Sequence, residues 1–400
     1  MRLSEVIEKK TQEIEKEIIQ WRRQIHQRPE LELRCDETAA LVSSVLQKHG
    51  LEVITGIAQT GVVGILRGDY PGPVAALRVD MDALPIQEQT NLSFASQNHG
   101  VMHACGHDGH TAIGLGVAAV LSELKPTLKG TVKFIFQPGE EKPGGAKLMM
   151  EGGVLQNPDV EVLFGFHIFP DVPSGSVGIS RGVVCAGNVD FEITLTGRGG
   201  HGAKPELCND PITAAGFLIT GIQSIVSRNS DPRDPLVISI CQITGGDNFN
   251  VIPEKVFLKG TIRAFNDKTH KLAQKRLSEI LQGLETGFGL NAELRIVPDG
   301  TPVLRNDLKI AKFAEAECVR LLGRDSVIEL DVPSMGADDF AYFANEVPSA
   351  YLRLGCHDES KGFIHKLHEP YFDFDEKILA VGTKVFSHLL ASYLNEQQHF

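Results

Sequence analysis

Short apolar strands alternate with helical segments through the first half of the chain, and this alternation constrains the fold most. Buried strands are predicted at 61–66, 74–79 and 131–136 from their length and apolar character. A helix rich in alanine, leucine and valine is predicted at 111–124, between the second and third strands. Strands that alternate with helices favour an α/β fold with a mostly parallel sheet covered by helices.

The length and composition fit a globular protein with two domains. The chain has 400 residues, of which 42% are hydrophobic and 22% charged. Its formal net charge of -12 argues against a nucleic acid or an anionic membrane as partner. No apolar run approaches the length of a membrane span. The 7 cysteines are scattered without a Cys-x-x-Cys pair, and the N-terminus lacks a signal-peptide core, so we expect a reduced, cytoplasmic protein.

The sequence pattern changes near Gly187, where strand 189–196 alternates apolar and polar residues. The next predicted elements are a helix at 211–228, strands at 236–244 and 255–265, a helix at 267–288 and a strand at 292–297. The order β-α-β-β-α-β is that of the ferredoxin-like arrangement. We therefore predict an inserted α+β domain over 188–298, and a discontinuous catalytic domain formed by 1–187 and 299–400.

Segment 103–110, His-Ala-Cys-Gly-His-Asp-Gly-His, concentrates side chains that bind transition metals. Cys105 and His107 lie just before the predicted helix at 111–124. A helix N-terminus lowers the pKa of a nearby thiol, which favours the thiolate that binds metal. His103 and His110 are at least as compatible with orienting ligands or capping the helix as with binding metal, and Asp108 is expected to orient an imidazole.

Further groups of this kind follow the predicted strands. Asp80 and Asp82 follow the strand at 74–79, although either could be a turn or cap residue. The pair Glu140-Glu141 follows the strand at 131–136, so that one carboxylate could bind a metal and the other act as a base. His167 directly follows a strand predicted at 160–166. Because ligands bind at the carboxyl ends of strands in open α/β sheets, these groups are expected to meet at one edge.

Motifs spread over most of the chain resemble the M20 metallopeptidase superfamily, and most closely its amidohydrolase branch. That branch contains N-acyl-amino-acid amidohydrolases, hippurate hydrolases and auxin-conjugate hydrolases. The matching stretches are LRVDMDALP (77–85), MHACGHDGHTA (102–112), QPGEE (137–141), GFHIFP (165–170), GRGGHGAKP (197–205), NVIPE (250–254), GTIRAF (260–265), MGADDFAYF (335–343) and LHEPYFDFDE (367–376).

The resemblance implies a specific set of site residues. Two divalent metal ions, which could be zinc, manganese, cobalt or nickel, would be held by Cys105, His107, Glu141, His167 and His368. Glu140 would be the general base, and His201 would act at the active site of the partner subunit in a homodimer. Asn250 and Arg263 match positions associated with binding the substrate, at its carboxylate. The inserted domain would serve as a lid and dimerisation domain.

By resemblance, the expected activity is hydrolysis of the amide bond of small N-acyl-L-amino acids. Alternatives are a carboxypeptidase or dipeptidase with the same metal chemistry, which would take a short peptide, and a non-catalytic metal-binding protein. A closed structural site needs no additional base, so the Glu140-Glu141 pair argues against the last alternative. The sequence departs from the family at Asp338, where a glutamate is common, and leaves open the roles of Asp80 and His365.

Overall fold

The computed structural model describes residues 2–141, 144–298 and 300–396. In chain order the strands are β1 (Glu52–Ile57), β2 (Gly61–Arg67), β3 (Tyr70–Asp80), β4 (Lys129–Gln137), β5 (Val162–Pro173), β6 (Val177–Ile179), β7 (Val183–Cys185), β8 (Gly187–Thr196), β9 (Gly200–His201), β10 (Leu236–Thr244), β11 (Val251–Ile252), β12 (Lys255–Ala264), β13 (Asn291–Ile296), β14 (Leu304–Arg305), β15 (Val327–Glu329) and β16 (Ser349–His357). The α-helices are α1 (Leu3–Gln27), α2 (Asp36–Lys48), α3 (His107–Leu124), α4 (Gly145–Glu151), α5 (Pro211–Ser224), α6 (Asp267–Phe288), α7 (Leu308–Leu322), α8 (Phe340–Ala344) and α9 (Lys377–Glu396).

The chain divides into two compact units. Within the described residues, the first unit contains 2–184, 305–333 and 339–396, and the second contains Cys185–Leu304 and Ser334–Asp338. The second unit thus begins slightly before the predicted limit at 188 and ends slightly after 298. It also takes up a short later segment, because the backbone N–H of Ala186 donates to the carbonyl of Ser334 at 2.8 Å.

The first unit is built on a mixed sheet with strand order β1-β2-β4-β3-β5-β16-β6-β15. Its central strands β4, β3, β5 and β16 are parallel neighbours, and β15 pairs parallel with β6. Antiparallel pairs join β1 to β2, β2 to β4 and β16 to β6. The predicted mostly parallel α/β fold is confirmed.

Helices cover both faces of this sheet, as two successive residues of β5 show. Side chains of neighbouring residues in a strand point to opposite faces. The ring of Phe166 stacks on Phe386 of α9 with 4.4 Å between the ring centroids. A Cβ added to Gly165 would lie 2.5 Å from the ring of Phe340 in α8, so this position accepts only glycine while α8 packs so closely. The sheet is therefore enclosed, and chemistry is confined to its edges.

The second unit has the predicted ferredoxin-like order β8-α5-β10-β12-α6-β13. Its strands form an antiparallel sheet in the order β10-β12-β8-β13, and α5 and α6 contact this sheet and each other. The inward-facing residues of these elements form a separate hydrophobic core. The short strands β9 and β11 pair as a ribbon outside the main sheet.

Candidate metal centre

Parallel strands bring the predicted ligands of the first unit to one edge of its sheet. Asp80, the last residue of β3, is in register with Gln137, the last residue of β4, and Glu140 and Glu141 follow a short turn later. His167 differs from the prediction, because it lies inside β5, which continues to Pro173. The side chain of His167 nevertheless lies at the same edge. The neighbouring strand β3 ends at Asp80, which is level with His167, whereas β5 continues beyond this point.

Gly106, just before α3, and Gly109, in the first turn of α3, allow the backbone to direct two ligands toward one point. Gly106 precedes α3 with a φ of 80°, a left-handed conformation that favours glycine. Gly109 allows α3 to approach β5, because a Cβ at this position would lie 2.6 Å from the side chain of Ile168. Cys105 and His107 flank the first glycine and are both buried.

The five predicted ligands come together in two groups of three that share Cys105. Atoms of Cys105, His107 and His167 that could bind a metal lie within 4.8 Å of one another, and so do those of Cys105, Glu141 and His368. The thiol Sγ is 3.3 Å from Nε2 of His167 and 3.3 Å from Nε2 of His368. A sulfur shared by two groups of ligands is an arrangement that could hold a pair of cations.

Backbone carbonyls orient both histidines of the first group, of which His107 is buried and His167 half-buried. Nδ1 of His107 donates to the carbonyl of Asp82 at 2.8 Å, and Nδ1 of His167 donates to the carbonyl of Ile168 at 2.6 Å. A carbonyl can only accept, so each Nδ1 carries a proton, and in the neutral form of each ring Nε2 has the lone pair that a metal would take. Partners of this kind fix the tautomer and ring orientation that a metal ligand needs.

The carboxylate of Asp82 holds the Glu140-Glu141 pair in place. Its two oxygens accept from the backbone N–H groups of Glu140 and Glu141, each at 3.0 Å. Glu140 and Glu141 together with His107 form a further group of potential ligand atoms within 4.8 Å. One aspartate therefore orients His107 through its carbonyl and the two glutamates through its side chain. The sequence analysis left Asp82 among possible turn residues; its position directly after a strand was the available signal.

The electrostatics of the site fit a cation. Nε2 of His107 is buried and makes no hydrogen bond to any residue in the described ranges. Although burial opposes a charged imidazole, Asp80, Asp82 and Glu141 raise the pKa of His107 to about 10. The same negative groups would stabilise a metal ion bound to a neutral imidazole. Sulfur, nitrogen and carboxylate donors together form a ligand set suited to zinc and neighbouring divalent metals.

The pKa of the Cys105 thiol differs from the prediction. Burial, together with the negative charges of Glu141 and Glu140, raises this pKa well above its ordinary value. The predicted lowering of this pKa is therefore wrong for the metal-free chain. A nearby cation would be needed to stabilise the thiolate, so metal binding here is expected to release a proton.

His368 is held in a strained backbone conformation. Its φ of 65° is in the left-handed region, which residues with a side chain adopt only where their surroundings impose it. Its N–H donates to the carbonyl of Ala104 at 2.8 Å. Shortly after it, the hydroxyl of Tyr371 donates to Oε1 of Gln89 at 2.5 Å, and the N–H of Gln89 donates to the carbonyl of Pro370 at 2.8 Å. These bonds join the segment that carries His368 to the loop that leads to Cys105.

His365 has a separate partner. Its Nδ1 lies 3.0 Å from Oε2 of Glu369, and the side chain is 40% exposed. The ligand groups contain His368 and not His365.

A buried network that the sequence analysis did not anticipate lies behind the ligands. Arg78 donates to Asp80 at 2.7 Å, to Gln137 at 2.8 Å and to Asp339 at 2.6 Å. Asp80 in turn accepts from Nδ1 of His110 at 2.5 Å, and Nε2 of His110 accepts from the N–H of Ile168 at 2.8 Å. His110 thereby holds the N–H of Ile168, the residue whose carbonyl orients His167. His110 is a positioning residue, and burial lowers its pKa.

The other residues of segment 103–110 face away from the ligands. Asp108 accepts from Nε of Arg22 at 3.0 Å and from Nδ1 of His26 at 2.8 Å, so the imidazole that it orients belongs to His26. His103 is buried with both nitrogens unpartnered in the described part of the chain, and burial lowers its pKa to about 3. His26 is itself buried, and with Arg22, Asp108 and Glu88 it forms a charged cluster.

The second unit carries the remaining predicted site residues on exposed or half-buried positions. His201 in β9 is paired in register with Val251 in β11, next to Asn250, and the ribbon leaves both His201 and Asn250 exposed. Nδ1 of His201 accepts from the N–H of Ala203 at 3.0 Å, so Nε2 carries the proton of a neutral ring. Arg263 in β12 donates to the carbonyl of Met335 at 3.1 Å.

Comparison with known proteins places the chain in a family. The model for peptidase family M20/M25/M40 matches residues 76–392. N-acetylcysteine deacetylase from Bacillus subtilis is 38% identical over 373 residues, covering 93% of this chain and 95% of that protein. Thermostable carboxypeptidase 1 from Saccharolobus solfataricus is 37% identical over 399 residues, covering 99% of this chain and 100% of that protein.

A solved structure agrees with these relatives. The Bacillus subtilis protein described as a dinuclear metal binding peptidase from the M20 family superposes with a TM-score of 0.82 and 34% identity, covering 96% of this chain and 99% of that chain. The chain belongs to peptidase family M20/M25/M40. Peptidases hydrolyse amide bonds, so the predicted enzyme class, a hydrolase acting on amides, is confirmed.

No helix within the described ranges has both the length and the apolar character that crossing a membrane requires.

Proposed function

We propose that the protein hydrolyses the amide bond of N-acyl-L-amino acids, with acetyl, benzoyl or similar acyl groups, to a carboxylate and a free amino acid. One observation carries this proposal: two groups of potential metal ligands share Cys105, and Glu140 lies beside both Glu141 and His107. The relationship to N-acetylcysteine deacetylase supports an acyl substrate.

The proposed cofactors are two divalent ions, of zinc, manganese, cobalt or nickel. Cys105, His107 and His167 would hold one ion, and Cys105, Glu141 and His368 the other, because these residues form the two observed groups. When bound, such ions supply Lewis acidity and lower the pKa of a water molecule toward neutrality.

The role of Glu140 follows from its position. The carboxylate of Glu140 would take a proton from water while the water oxygen bonds to the acyl carbon. The carbon–nitrogen bond then breaks, and Glu140 returns the proton to the departing nitrogen. Asp82 supports this role because its hydrogen bond at 3.0 Å to the backbone of Glu140 limits where the carboxylate can lie.

His201, Asn250 and Arg263 are proposed to act on the substrate. A neutral His201 with its proton on Nε2 could donate a hydrogen bond to the developing oxyanion. Asn250 and Arg263 would bind the substrate carboxylate. Because His201 and Asn250 are exposed on their own ribbon, we further propose that the protein acts as a homodimer in which His201 serves the partner subunit.

A carboxypeptidase or dipeptidase activity is the second candidate, favoured by the 37% identity to thermostable carboxypeptidase 1. A cytoplasmic location is also proposed, on the basis of 7 free cysteines.

A panel assay separates the candidates. The protein, reconstituted in turn with zinc, manganese, cobalt and nickel, is given acetyl-amino acids, benzoyl-amino acids and dipeptides. We expect kcat/KM to be highest for an N-acyl amino acid. Hydrolysis of dipeptides alone would favour the second candidate, and hydrolysis of none of the compounds with verified bound metal would contradict both.

A further inference from the structure

Arg353 is a buried arginine in the strand next to His167. Arg353 in β16 is in parallel register with His167 in β5, and only 7% of the residue is exposed. Residues in register on neighbouring strands are about 4.8 Å apart and point to the same face of the sheet. The guanidinium of Arg353 thus lies on the face that carries a predicted metal ligand.

Among the residues that the structure describes, the contacts of this guanidinium include an aromatic ring and a carbonyl but no counterion. Its Cζ lies 4.2 Å from the ring centroid of Phe169, and Nη2 is 3.4 Å from the carbonyl of Val184. Phe169 is also the neighbour of His167, with 6.3 Å between the ring centroids, so a single aromatic ring separates the guanidinium from the imidazole. In the described ranges no carboxylate lies within ion-pair distance of Arg353.

Two other buried arginines, Arg22 and Arg78, are each paired with aspartates. Arg22 pairs with Asp108 at 3.0 Å and with Asp373 at 2.6 Å. Arg78 pairs with Asp80 at 2.7 Å and with Asp339 at 2.6 Å. A charge removed from water is costly unless it is paired. Arg353 is the exception in this comparison, and it lies beside the candidate metal centre.

We propose that Arg353 binds a carboxylate of the substrate, and that the preferred substrates are N-acyl amino acids with a second carboxylate. This inference rests on the proposed function, in which Asn250 and Arg263 take the α-carboxylate. The guanidinium presents donors in a planar fork that matches a carboxylate, and stacking on Phe169 restricts its orientation. The second carboxylate could be on the acyl group, as in a succinyl group, or on the amino-acid side chain, as in glutamate.

The test compares Arg353→Met and Arg353→Lys with the wild type on three probes. N-acetyl-L-methionine has only the α-carboxylate, N-succinyl-L-methionine adds one on the acyl group, and N-acetyl-L-glutamate adds one on the side chain. We expect Arg353→Met to lower kcat/KM by at least about tenfold for one of the two dicarboxylates, and by less than about twofold for N-acetyl-L-methionine. The affected dicarboxylate identifies the source of the carboxylate, and Arg353→Lys should restore part of the loss.

The matched control is Arg67→Met, which removes an exposed strand arginine paired with Glu52. It should leave the preference among the three probes unchanged. Calorimetric titration with free glutarate gives a second measurement that does not depend on turnover. Wild type should bind glutarate at least about tenfold more tightly than Arg353→Met, with both proteins at equal metal content.

Each result has a defined meaning. Equal changes on all three probes, or no change, would overturn the role of Arg353, and so would equal binding of glutarate by wild type and variant. If the wild type hydrolyses N-acetyl-L-methionine but Arg353→Met keeps its preference, only this inference fails. If the wild type hydrolyses no N-acyl amino acid, the proposed function fails, and glutarate binding still decides whether Arg353 is a carboxylate site. Arg353→Lys serves as the test variant if Arg353→Met does not fold.

Discussion

In the ligand cluster of the first unit, Cys105 and His107 are buried, and backbone and carboxylate partners orient the ligands. The β9–β11 ribbon of the second unit instead leaves His201 and Asn250 exposed. In the first region, removing a hydrogen-bond partner of a ligand should reduce both catalysis and metal binding, because the ligands and their partners position one another. In the second, a lost side chain should affect catalysis alone, because little packing depends on it. The comparison shows that one region is organised by its own fold, while the role proposed for the other depends on a further surface, that of a substrate or partner.

The largest effect is expected for Glu140→Gln in the first region. The variant keeps the shape of the side chain but cannot take a proton, so kcat should fall by about 10²- to 10⁴-fold. Metal content, measured by elemental analysis, should remain at the wild-type level. Glu151→Gln, at an exposed position, is the control. Near-normal kcat in Glu140→Gln would remove the proposed base.

His201→Ala tests the second region. Loss of a hydrogen-bond donor to the oxyanion should lower kcat by about 10²- to 10³-fold. The free energy of unfolding should change by less than about 0.5 kcal/mol because the side chain is exposed. His99→Ala, also exposed, should change neither quantity.

Mixed dimers extend the same test to the partner subunit. Inactive Glu140→Gln and inactive His201→Ala chains are mixed under conditions of verified subunit exchange. Recovered activity is expected if His201 serves the partner; absence of recovery would argue against the sharing of a site.

Asp82→Asn separates positioning from chemistry in the first region. Asparagine offers one acceptor to the two N–H groups of Glu140 and Glu141, so one of them loses its partner. Metal affinity and kcat/KM should each fall by about 10- to 100-fold, as measured by competition with a chelator and by steady-state kinetics. Asp69→Asn, an exposed aspartate, is the control. An unchanged metal affinity would show that Asp82 does not orient the ligands.

The buried cluster around His26 predicts a dependence of stability on pH. Although burial opposes its charge, Asp108 and Glu88 raise the pKa of His26 from 6.5 to about 9, against the opposing charge of Arg22. A raised pKa stabilises the fold fully below pH 6.5, and this contribution is lost as pH rises through about 9. The free energy of unfolding of the metal-free protein, measured in urea, should therefore fall by up to about 3 kcal/mol over this window.

His26→Gln is the corresponding variant. It should be less stable than the wild type near neutrality and should lack most of the decrease in stability at higher pH. Equal slopes of unfolding free energy against pH in the two proteins would contradict the assignment of this decrease to His26.

The smallest effect is expected for Tyr371→Phe. The variant removes the hydroxyl that donates to Gln89 and so loosens the segment that holds His368 in its left-handed conformation. Loss of one hydrogen bond should weaken metal binding by about two- to tenfold. Stepwise titration with cobalt, followed by thiolate-to-metal absorption, would measure it, with Tyr70→Phe as the control for an exposed tyrosine. Identical titrations would show that His368 keeps its position without this bond.

Much of the site could be predicted from the sequence, because the carboxyl ends of parallel strands lie at the same edge of a sheet and bring the residues there together. Asp80 and Glu140 follow strands that pair in parallel, and a parallel pair places both carboxyl ends at one edge. The inserted fold could be predicted from the change of hydrophobic period after Gly187. The roles proposed for the site residues and the limits of the domains stay predictions.

Other features could not be read from the sequence, because they depend on groups far apart in the chain. Asp82 became a positioning residue only through bonds to the backbone of Glu140 and Glu141, and backbone amides have no sequence signature. The pKa of Cys105 was misjudged because the helix N-terminus was visible in the sequence, whereas burial and the carboxylates near the thiol were not. Nothing in the sequence distinguishes Arg353 from another strand arginine, because its register with His167 and the absence of a carboxylate partner in the described ranges depend on the tertiary structure.

The sequence by itself determined the family, the α/β and ferredoxin-like arrangements and the residues from which a metal centre can be built, because these depend on local periodicity and on motifs. The tertiary structure decided which ligands share Cys105, which partner holds Nδ1 of His107 and of His167, and which buried charges have partners. These properties depend on the distances between segments that are far apart in the sequence and on the exclusion of water from the interior. No single position of the chain encodes either.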